Sequence, residues 1–178
     1  VNLTYLNLEN NQLSGEIPIS IGNLINLTQL RLHQNMLTGE IPPEIGDLTN
    51  ITTIHLYNNQ LTGKIPETIS NLFNLNYLNL SDNQFIGNIP ENIGNLENLS
   101  SLNLSFNQLD ERIPLGICNM SSMNFLSLSN NYLSGDIPSC IDNLINLNHL
   151  SLSTNQLSGE IPENIGDLVN LDFLSFSI

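Results

Sequence analysis

The sequence is poor in charged residues, and especially in basic ones. Charged residues make up 11% of its 178 residues, and three Lys or Arg stand against 17 Asp or Glu, for a formal net charge of −14. Nucleic acids and anionic membranes are bound through clustered Lys and Arg, so this balance argues against both as partners. Tryptophan is absent and no apolar run is long enough to span a bilayer. The acidic excess favours solubility through self-repulsion, with an acidic docking face for a basic partner as the alternative.

A 24-residue unit repeats along the chain without an insertion or deletion. It reads L-x-x-L-x-L-x-x-N-x-L-x-G-x-I-P-x-x-I-G-x-L-x-N and begins at Leu3, Leu27, Ile51, Leu75, Leu99, Met123, Leu147 and Leu171. This period, with this leucine and asparagine spacing, predicts a leucine-rich-repeat solenoid. We expect one domain over residues 1–178, with seven full repeats and a partial eighth. Neither end carries a polar cap, so we expect a fragment of a longer chain, with end-to-end self-association as the alternative.

Each part of the unit predicts a local structure in a right-handed α/β solenoid. The segment L-x-x-L-x-L alternates apolar and polar residues, so its strands should stack into a parallel sheet on the concave side. Proline and glycine in I-P-x-x-I-G exclude long helices and predict an extended segment followed by a 3₁₀ turn on the convex side. The asparagine recurs in every full repeat, and its amide can satisfy backbone groups of neighbouring coils. Glu111 replaces the glycine of repeat five, where we expect a relaxed or strained turn.

The two cysteines lie in adjacent repeats. Cys118 and Cys140 both fall in the convex segment, two residues apart in phase. Adjacent coils lie about 5 Å apart, which leaves the pair near bridging distance. We predict a disulfide, with two unpaired thiols as the alternative.

Seven Asn-x-Ser/Thr sequons mark candidate glycosylation sites: Asn2, Asn26, Asn50, Asn79, Asn98, Asn103 and Asn119. The richness of the chain in Asn, Ser and Thr would produce several sequons by chance. Together with the cysteine pair they favour a secreted or cell-surface protein. Asn79 and Asn103 have the phase of the concave surface, where a glycan would obstruct binding.

The motifs L-S-G-E-I-P, I-G-N-L and L-N-L-S-x-N-x-L carry a family resemblance. The chain resembles the plant-type leucine-rich repeat of receptor-like kinase and receptor-like protein ectodomains and of polygalacturonase-inhibiting proteins. The resemblance implies an extracellular recognition module that binds a protein, peptide or glycan and performs no chemistry. The segments G-I-C-N-M and I-P-S-C-I also resemble a convex-side cysteine pair of that family, which supports the bridge.

The outward positions of the strands give a candidate ligand site on the concave face, since solenoids usually bind there. Repeats one to four concentrate large polar and aromatic residues at these positions, whereas later repeats are mostly serine in two of the three outward phases. Tyr and Arg contribute strongly to interfaces because they bury much area with little entropy loss. The predicted site is Tyr5, Arg31, His33, His55, Tyr57 and Tyr77, with scattered surface aromatics as the alternative.

Other chemistry has little support in the sequence. His33 and His55 could approach each other, but Glu9 is the only further ligand we can place, so we predict no metal site and no cofactor. No Ser-His-Asp or Cys-His arrangement follows from the phases, so we expect no enzyme. Two alternatives to the receptor-like module stay open: a secreted inhibitor similar to the polygalacturonase-inhibiting proteins, and a structural, self-assembling or ice-surface-binding protein that uses its Ser, Thr and Asn rows.

Overall fold

A parallel sheet of eight three-residue strands runs along the chain in the computed structural model, which describes residues 2–176. The predicted fold is confirmed over these residues; residues 1, 177 and 178 of the predicted domain lie outside them. The strands are Tyr5–Asn7, Gln29–Arg31, Thr53–His55, Tyr77–Asn79, Ser101–Asn103, Phe125–Ser127, His149–Ser151 and Phe173–Ser175. Each strand pairs in register with the strand 24 residues further on, so equivalent residues of all repeats form straight columns.

The inward positions of the strands form one continuous core. Leu30, Ile54, Leu102 and Leu126 are fully buried, because each coil lies between two others and its side chain contacts both. The equivalent residue of the last described coil, Leu174, is 43% exposed. Burial therefore depends on the neighbouring coil rather than on the repeat itself.

The repeated asparagines form a hydrogen-bonded ladder between coils, as the sequence predicted. The amide oxygen of Asn35 accepts from the backbone N–H of Leu13 at 3.0 Å. Its amide nitrogen donates to the carbonyls of Leu8, Leu32 and His33 at 2.9 to 3.3 Å. The same pattern recurs one coil later at Asn59. One side chain therefore satisfies backbone groups of two coils in a turn that no strand pairing reaches.

Opposite the sheet, each coil returns through a 3₁₀ turn that begins after the repeated proline. These turns are Ile19–Asn23, Pro43–Asp47, Glu67–Asn71, Glu91–Asn95, Leu115–Asn119, Ser139–Asn143 and Glu163–Asp167. The described residues contain no α-helix, and no helix among them is long and apolar enough to cross a membrane. The predicted disulfide forms here: Cys118 and Cys140 link two consecutive turns, with their Cα atoms 5.8 Å apart.

Short strands also pair on the side of the coil between the sheet and the 3₁₀ turns. They join Ser14–Glu16 to Met36–Thr38, Ile86–Gly87 to Gln108–Leu109, and Ser134–Asp136 to Gln156–Ser158. The repeated glycine lies here at φ near +75°, as at Gly39, where a Cβ would meet Glu16 Cγ at 2.7 Å. Glu111 keeps this left-handed conformation at φ +64°, so the fifth turn is strained rather than relaxed, at a cost of roughly 1–2 kcal/mol.

Candidate functional site

Three columns of outward side chains cover the solvent face of the eight-stranded sheet. The first column is Tyr5, Gln29, Thr53, Tyr77, Ser101, Phe125, His149 and Phe173. The second is Asn7, Arg31, His55, Asn79, Asn103, Ser127, Ser151 and Ser175. The third, just beyond the strands, is Glu9, His33, Tyr57, Ser81, Ser105, Ser129 and Ser153. The in-register pairing places neighbours within a column about 4.8 Å apart, so large side chains in adjacent repeats must contact each other.

The centre of the predicted site is a packed cluster of three rings, which we call the His–Tyr cluster. The rings of His33 and Tyr57 stack with centroids 4.3 Å apart and planes 20° apart. His55 meets both rings edge-on, at 5.7 Å from His33 and 6.0 Å from Tyr57. Stacked and edge-to-face rings are the favoured geometries of such pairs, so these side chains are held in one arrangement before any ligand binds.

Burial and the charge of Arg31 lower the pKa of both histidines in the His–Tyr cluster. His33 is only 5% exposed, and its Nε2 lies 3.4 Å from Glu9 Oε2. Burial lowers the pKa of the His33 imidazole; Glu9 raises it in part and Arg31 lowers it further. Burial, followed by the charges of Arg31 and His33, also lowers the pKa of His55 against the opposing effect of Glu9. Both imidazoles are therefore uncharged at neutral pH.

Arg31 extends the cluster toward the first repeat. Its guanidinium carbon lies 5.8 Å from the centroid of the Tyr5 ring, within cation–π range. Its Nη2 donates to Gln29 Oε1 at 3.1 Å. The structure thus brings five of the six predicted residues into one continuous group. Tyr77 stands apart: it is 49% exposed and makes no ring contact within the described residues.

Two polar atoms in this group lack partners. His33 Nδ1 and Arg31 Nε are buried and make no hydrogen bond within residues 2–176. Buried polar atoms without partners are uncommon, and each needs an explanation. Both atoms are closed to solvent, so a ligand could bond them only if the side chains around them moved.

The sequence-based site missed a second group of rings in the later repeats. Phe125, His149 and Phe173 stack in the first column with centroids 4.5 and 4.2 Å apart and planes within 14° of parallel. Beside them the second and third columns are serine, and Ser127, Ser129 and Ser151 are 6–8% exposed. These serines form a recessed floor rather than a projecting surface. The ring positions were visible in the sequence as one column, but Tyr and Arg were weighted above Phe.

The seven sequons occupy different environments. Asn2, Asn26, Asn50, Asn98 and Asn119 are exposed, whereas Asn79 and Asn103 are half-buried on the sheet face. The Nδ2 groups of Asn50 and Asn98 donate to the carbonyls of Ile25 and Phe73 at 2.8 Å. They belong to a second asparagine ladder that continues at Asn74, Asn146 and Asn170. The repeat therefore supplies a structural reason for these asparagines that is independent of glycosylation.

No group of three His, Cys, Asp or Glu within residues 2–176 is placed to hold a metal ion. The pair His33 and Glu9 gains no third ligand there, and His33 otherwise contacts the rings of His55 and Tyr57. The side chains of this group are rings, with Arg31 as its one guanidinium.

A model of the leucine-rich repeat region matches residues 57–178, and a model of the single leucine-rich repeat matches residues 2–24 and 26–48. The chain belongs to the leucine-rich-repeat family. Its repeats are of the plant type, because the similar solved structures include plant receptor ectodomains. No curated protein sequence matches the chain.

Three solved structures illustrate this similarity. The ectodomain of the Arabidopsis thaliana membrane receptor kinase GASSHO1/SCHENGEN3, in complex with CASPARIAN STRIP INTEGRITY FACTOR 2, is 41% identical over 99% of this chain and 21% of that chain, with a TM-score of 0.98. The plant peptide hormone receptor RGFR1 in complex with RGF2 is 39% identical over 98% of this chain and 28% of the receptor chain, with a TM-score of 0.97. A plant ice-binding protein is 32% identical over 97% of this chain and 56% of the ice-binding chain, with a TM-score of 0.88. The chain thus spans about a fifth of the first receptor chain and somewhat more than a quarter of the second.

Proposed function

We propose that this chain is an extracellular, non-catalytic recognition module that binds a peptide segment across the sheet face of repeats one to four. The observation that carries the proposal is the His–Tyr cluster with Arg31 and Tyr5 beside it. Its rings are already packed, so a ligand would not have to order them on binding. The similar structure of RGFR1 in complex with RGF2 is that of a plant peptide hormone receptor, which favours a peptide over a glycan.

The composition of the site limits the chemistry of the peptide. Arg31 is the one basic residue of the three columns within the described residues, and it lies beside neutral imidazoles and phenols. A neutral or mildly acidic peptide with exposed backbone groups and an aromatic or apolar side chain fits this surface, whereas a strongly acidic one would meet Glu9.

An extracellular location rests on the disulfide, since such bridges persist in oxidising compartments. Glycosylation of the five exposed sequons belongs to the same proposal, because a glycan on Asn79 or Asn103 would cover the sheet face. Secretion of the chain from a eukaryotic host, followed by mass measurement before and after enzymatic removal of N-glycans, tests it. Occupancy at Asn119, an exposed asparagine in a 3₁₀ turn, is expected, and a chain secreted with no added mass would contradict the glycoprotein prediction.

The binding proposal can be tested with a displayed library of random peptides of about 12 residues, long enough when extended to cross four coils. Selected peptides should bind the wild-type chain and lose at least about tenfold in affinity on Tyr57→Ala and on Arg31→Ala, as expected for interface residues of these types. Tyr132→Ala is the control for general adhesion of peptides to tyrosine, because Tyr132 is an exposed tyrosine outside the three columns. Peptides that lose equally on Tyr132→Ala, or a library that yields no binders, would contradict the proposal.

Binding to ice is a second candidate, favoured by the similarity to the plant ice-binding protein over 56% of that chain. The threonine row that could serve such a surface is engaged internally. Thr28 Oγ1 donates to the Thr4 carbonyl at 2.8 Å, and Thr52 Oγ1 donates to the Thr28 carbonyl at 3.0 Å. An ice recrystallisation assay separates the two functions, because inhibition by wild type that survives Tyr57→Ala and Arg31→Ala would support ice binding through another surface.

A further inference from the structure

The first column of the sheet face contains a gap between its rings. Tyr77, Ser101 and Phe125 lie on three consecutive strands in register. Beyond them the column continues as the stack of Phe125, His149 and Phe173. Ser101 is therefore the one position between Tyr77 and Phe173 at which the column has no ring.

The width of this gap matches one ring. The rings in the stack are spaced by 4.2–4.5 Å, close to the separation of about 4.8 Å between strands. Tyr77 and Phe125 are two strands apart, or roughly 9.6 Å. A single planar ring above Ser101 would continue the stack at its own spacing, in contact with the face of Phe125 opposite His149.

The surroundings of the gap are neutral and partly polar. The second and third columns beside it hold Asn79, Asn103, Ser81 and Ser105, with no acidic or basic side chain. The amide oxygens of Asn79 and Asn103 accept from the backbone N–H of the serine two residues later. Their Nδ2 groups make no hydrogen bond within the described residues. These Nδ2 groups could donate hydrogen bonds to a ligand carbonyl beside the ring.

We propose that the gap above Ser101 is a binding slot for one planar aromatic side chain of a ligand, which stacks on the open face of Phe125. A guanidinium group also stacks on rings, but it favours a nearby carboxylate, and none lines the gap. Tyr77, which makes no ring contact within residues 2–176, lies beside Ser101 on the strand at the other side of the gap. The use of the slot by a peptide rests on the proposed function, whereas the slot itself can be tested without a peptide.

Indole serves as the probe, titrated into the isotope-labelled 178-residue chain produced without N-glycans and observed by nuclear magnetic resonance. Saturable shifts are expected at the backbone amides of Ser101 and Phe125, with a dissociation constant on the order of 1–10 mM, as for a small apolar fragment. Intermolecular contacts should appear between indole and the Phe125 ring. Methylguanidinium at the same concentrations should give no saturable shift at these amides.

Two variants separate the slot from general adhesion of indole to exposed rings. Ser101→Phe should fill the slot with the protein's own ring and weaken indole binding at least about tenfold, while Ser101→Ala, which leaves the gap open, should bind indole as wild type does. Phe125→Leu, which removes the stacking face, should also lose the shifts, and serves if Ser101→Phe does not fold. Unchanged binding by either variant, or equal shifts at the exposed Phe73 and Tyr132, would overturn the slot.

The outcome for the slot is distinct from the outcome for the proposed function. If peptides from the displayed library lose affinity on Tyr57→Ala and Arg31→Ala but not on Ser101→Phe, the recognition site is supported and its ligands do not use the slot. Indole binding above Ser101 with no peptide binders would support the slot and contradict peptide recognition.

Discussion

Substitution of the ladder asparagine Asn107 by alanine should cost far more stability than the same change at Asn11. Asn107 is 8% exposed. Its amide oxygen accepts from the backbone N–H of Phe85, a fully buried residue, at 3.1 Å. Its amide nitrogen donates to the carbonyls of Leu80 and Leu104 at 3.1 Å. The variant removes all of these bonds while the surrounding coils stay packed.

The stability cost of Asn107→Ala depends on which hydrogen-bond partners of Asn107 keep a second hydrogen bond. The Leu80 carbonyl also accepts from Asn83 at 3.2 Å, and the Leu104 carbonyl also accepts from Asn131 at 3.0 Å. Each carbonyl therefore keeps a donor from the neighbouring rung. The Phe85 N–H keeps none. Leaving one buried donor unsatisfied costs roughly 1–3 kcal/mol, and the void left by the side chain adds to this, so we expect Asn107→Ala to lower the free energy of unfolding by about 2–3 kcal/mol.

Asn11 is the matched control because it has the same place in the repeat but a different environment. It is exposed, and its Nδ2 donates to the carbonyls of Leu8 and Glu9. Asn11→Ala leaves no buried N–H without a partner, so the expected loss is below about 1 kcal/mol.

Urea denaturation followed by circular dichroism measures the global loss, and native-state hydrogen exchange measures the local one. Exchange of the Phe85 amide should accelerate by roughly 30- to 150-fold in Asn107→Ala, which corresponds to 2–3 kcal/mol. It should be nearly unchanged in Asn11→Ala. Equal losses in the two variants, or a Phe85 amide that exchanges as slowly in Asn107→Ala as in wild type, would refute the argument that the ladder acts by satisfying a buried donor.

Three further predictions concern the disulfide, the histidines and the strained turns. Replacement of Cys118 and Cys140 together by serine should lower the urea-derived stability by about 3 kcal/mol, as loop-closure entropy for a separation of 22 residues implies; an unchanged midpoint would contradict this. Burial lowers the pKa of His33, so the neutral imidazole contributes fully to stability above the ordinary pKa of 6.5, and this contribution is lost as pH falls below 6.5. His33→Gln should therefore flatten the dependence of the free energy of unfolding on pH between about 7 and 5. An equal slope in the variant and the wild type would count against this prediction. Phe106 lies at φ +55° and Asn130, its equivalent one repeat later, at +57°, so Phe106→Asn should raise the free energy of unfolding and Asn130→Phe should lower it, each by about 1–2 kcal/mol; a change of the same sign in both variants would be inconsistent with backbone strain.

Most of the fold could be predicted because the repeat fixes the role of each position independently of its neighbours in sequence. Leu30 and Ile54 occur at the phase that faces the core, and both are fully buried. The short strands Ser14–Glu16 and Ser134–Asp136 were not predicted. Serine, glycine and an acid carry no alternating apolar pattern, so these strands arise from the stacking of coils that other residues hold together.

The site was only partly predictable for a related physical reason. The columns follow from the repeat, so the contact of His33 with His55 could be expected. How deeply each side chain of a column is buried could not be predicted. Ser127 and Ser129 were expected on the surface but are nearly buried, because strands about 4.8 Å apart leave small side chains below the level of their neighbours. The stacking of Phe125 on His149 could not be predicted either, because it depends on the orientation of the two rings, whose planes are close to parallel.

The differences in burial among side chains on the sheet face determine which substitutions change binding without changing stability. Tyr57 and Arg31 are half-buried on the sheet face, outside the leucine core that holds the coils together, so their replacement by alanine should change affinity with little change in stability. His33 differs, because its imidazole is almost fully covered and contacts Tyr57, His55 and Glu9. Its removal would loosen the whole His–Tyr cluster, and a loss of binding by His33→Ala could not be assigned to a direct contact. Affinity lost by Arg31→Ala, which removes no ring of the cluster, with an unchanged urea midpoint is therefore the stronger evidence for the site.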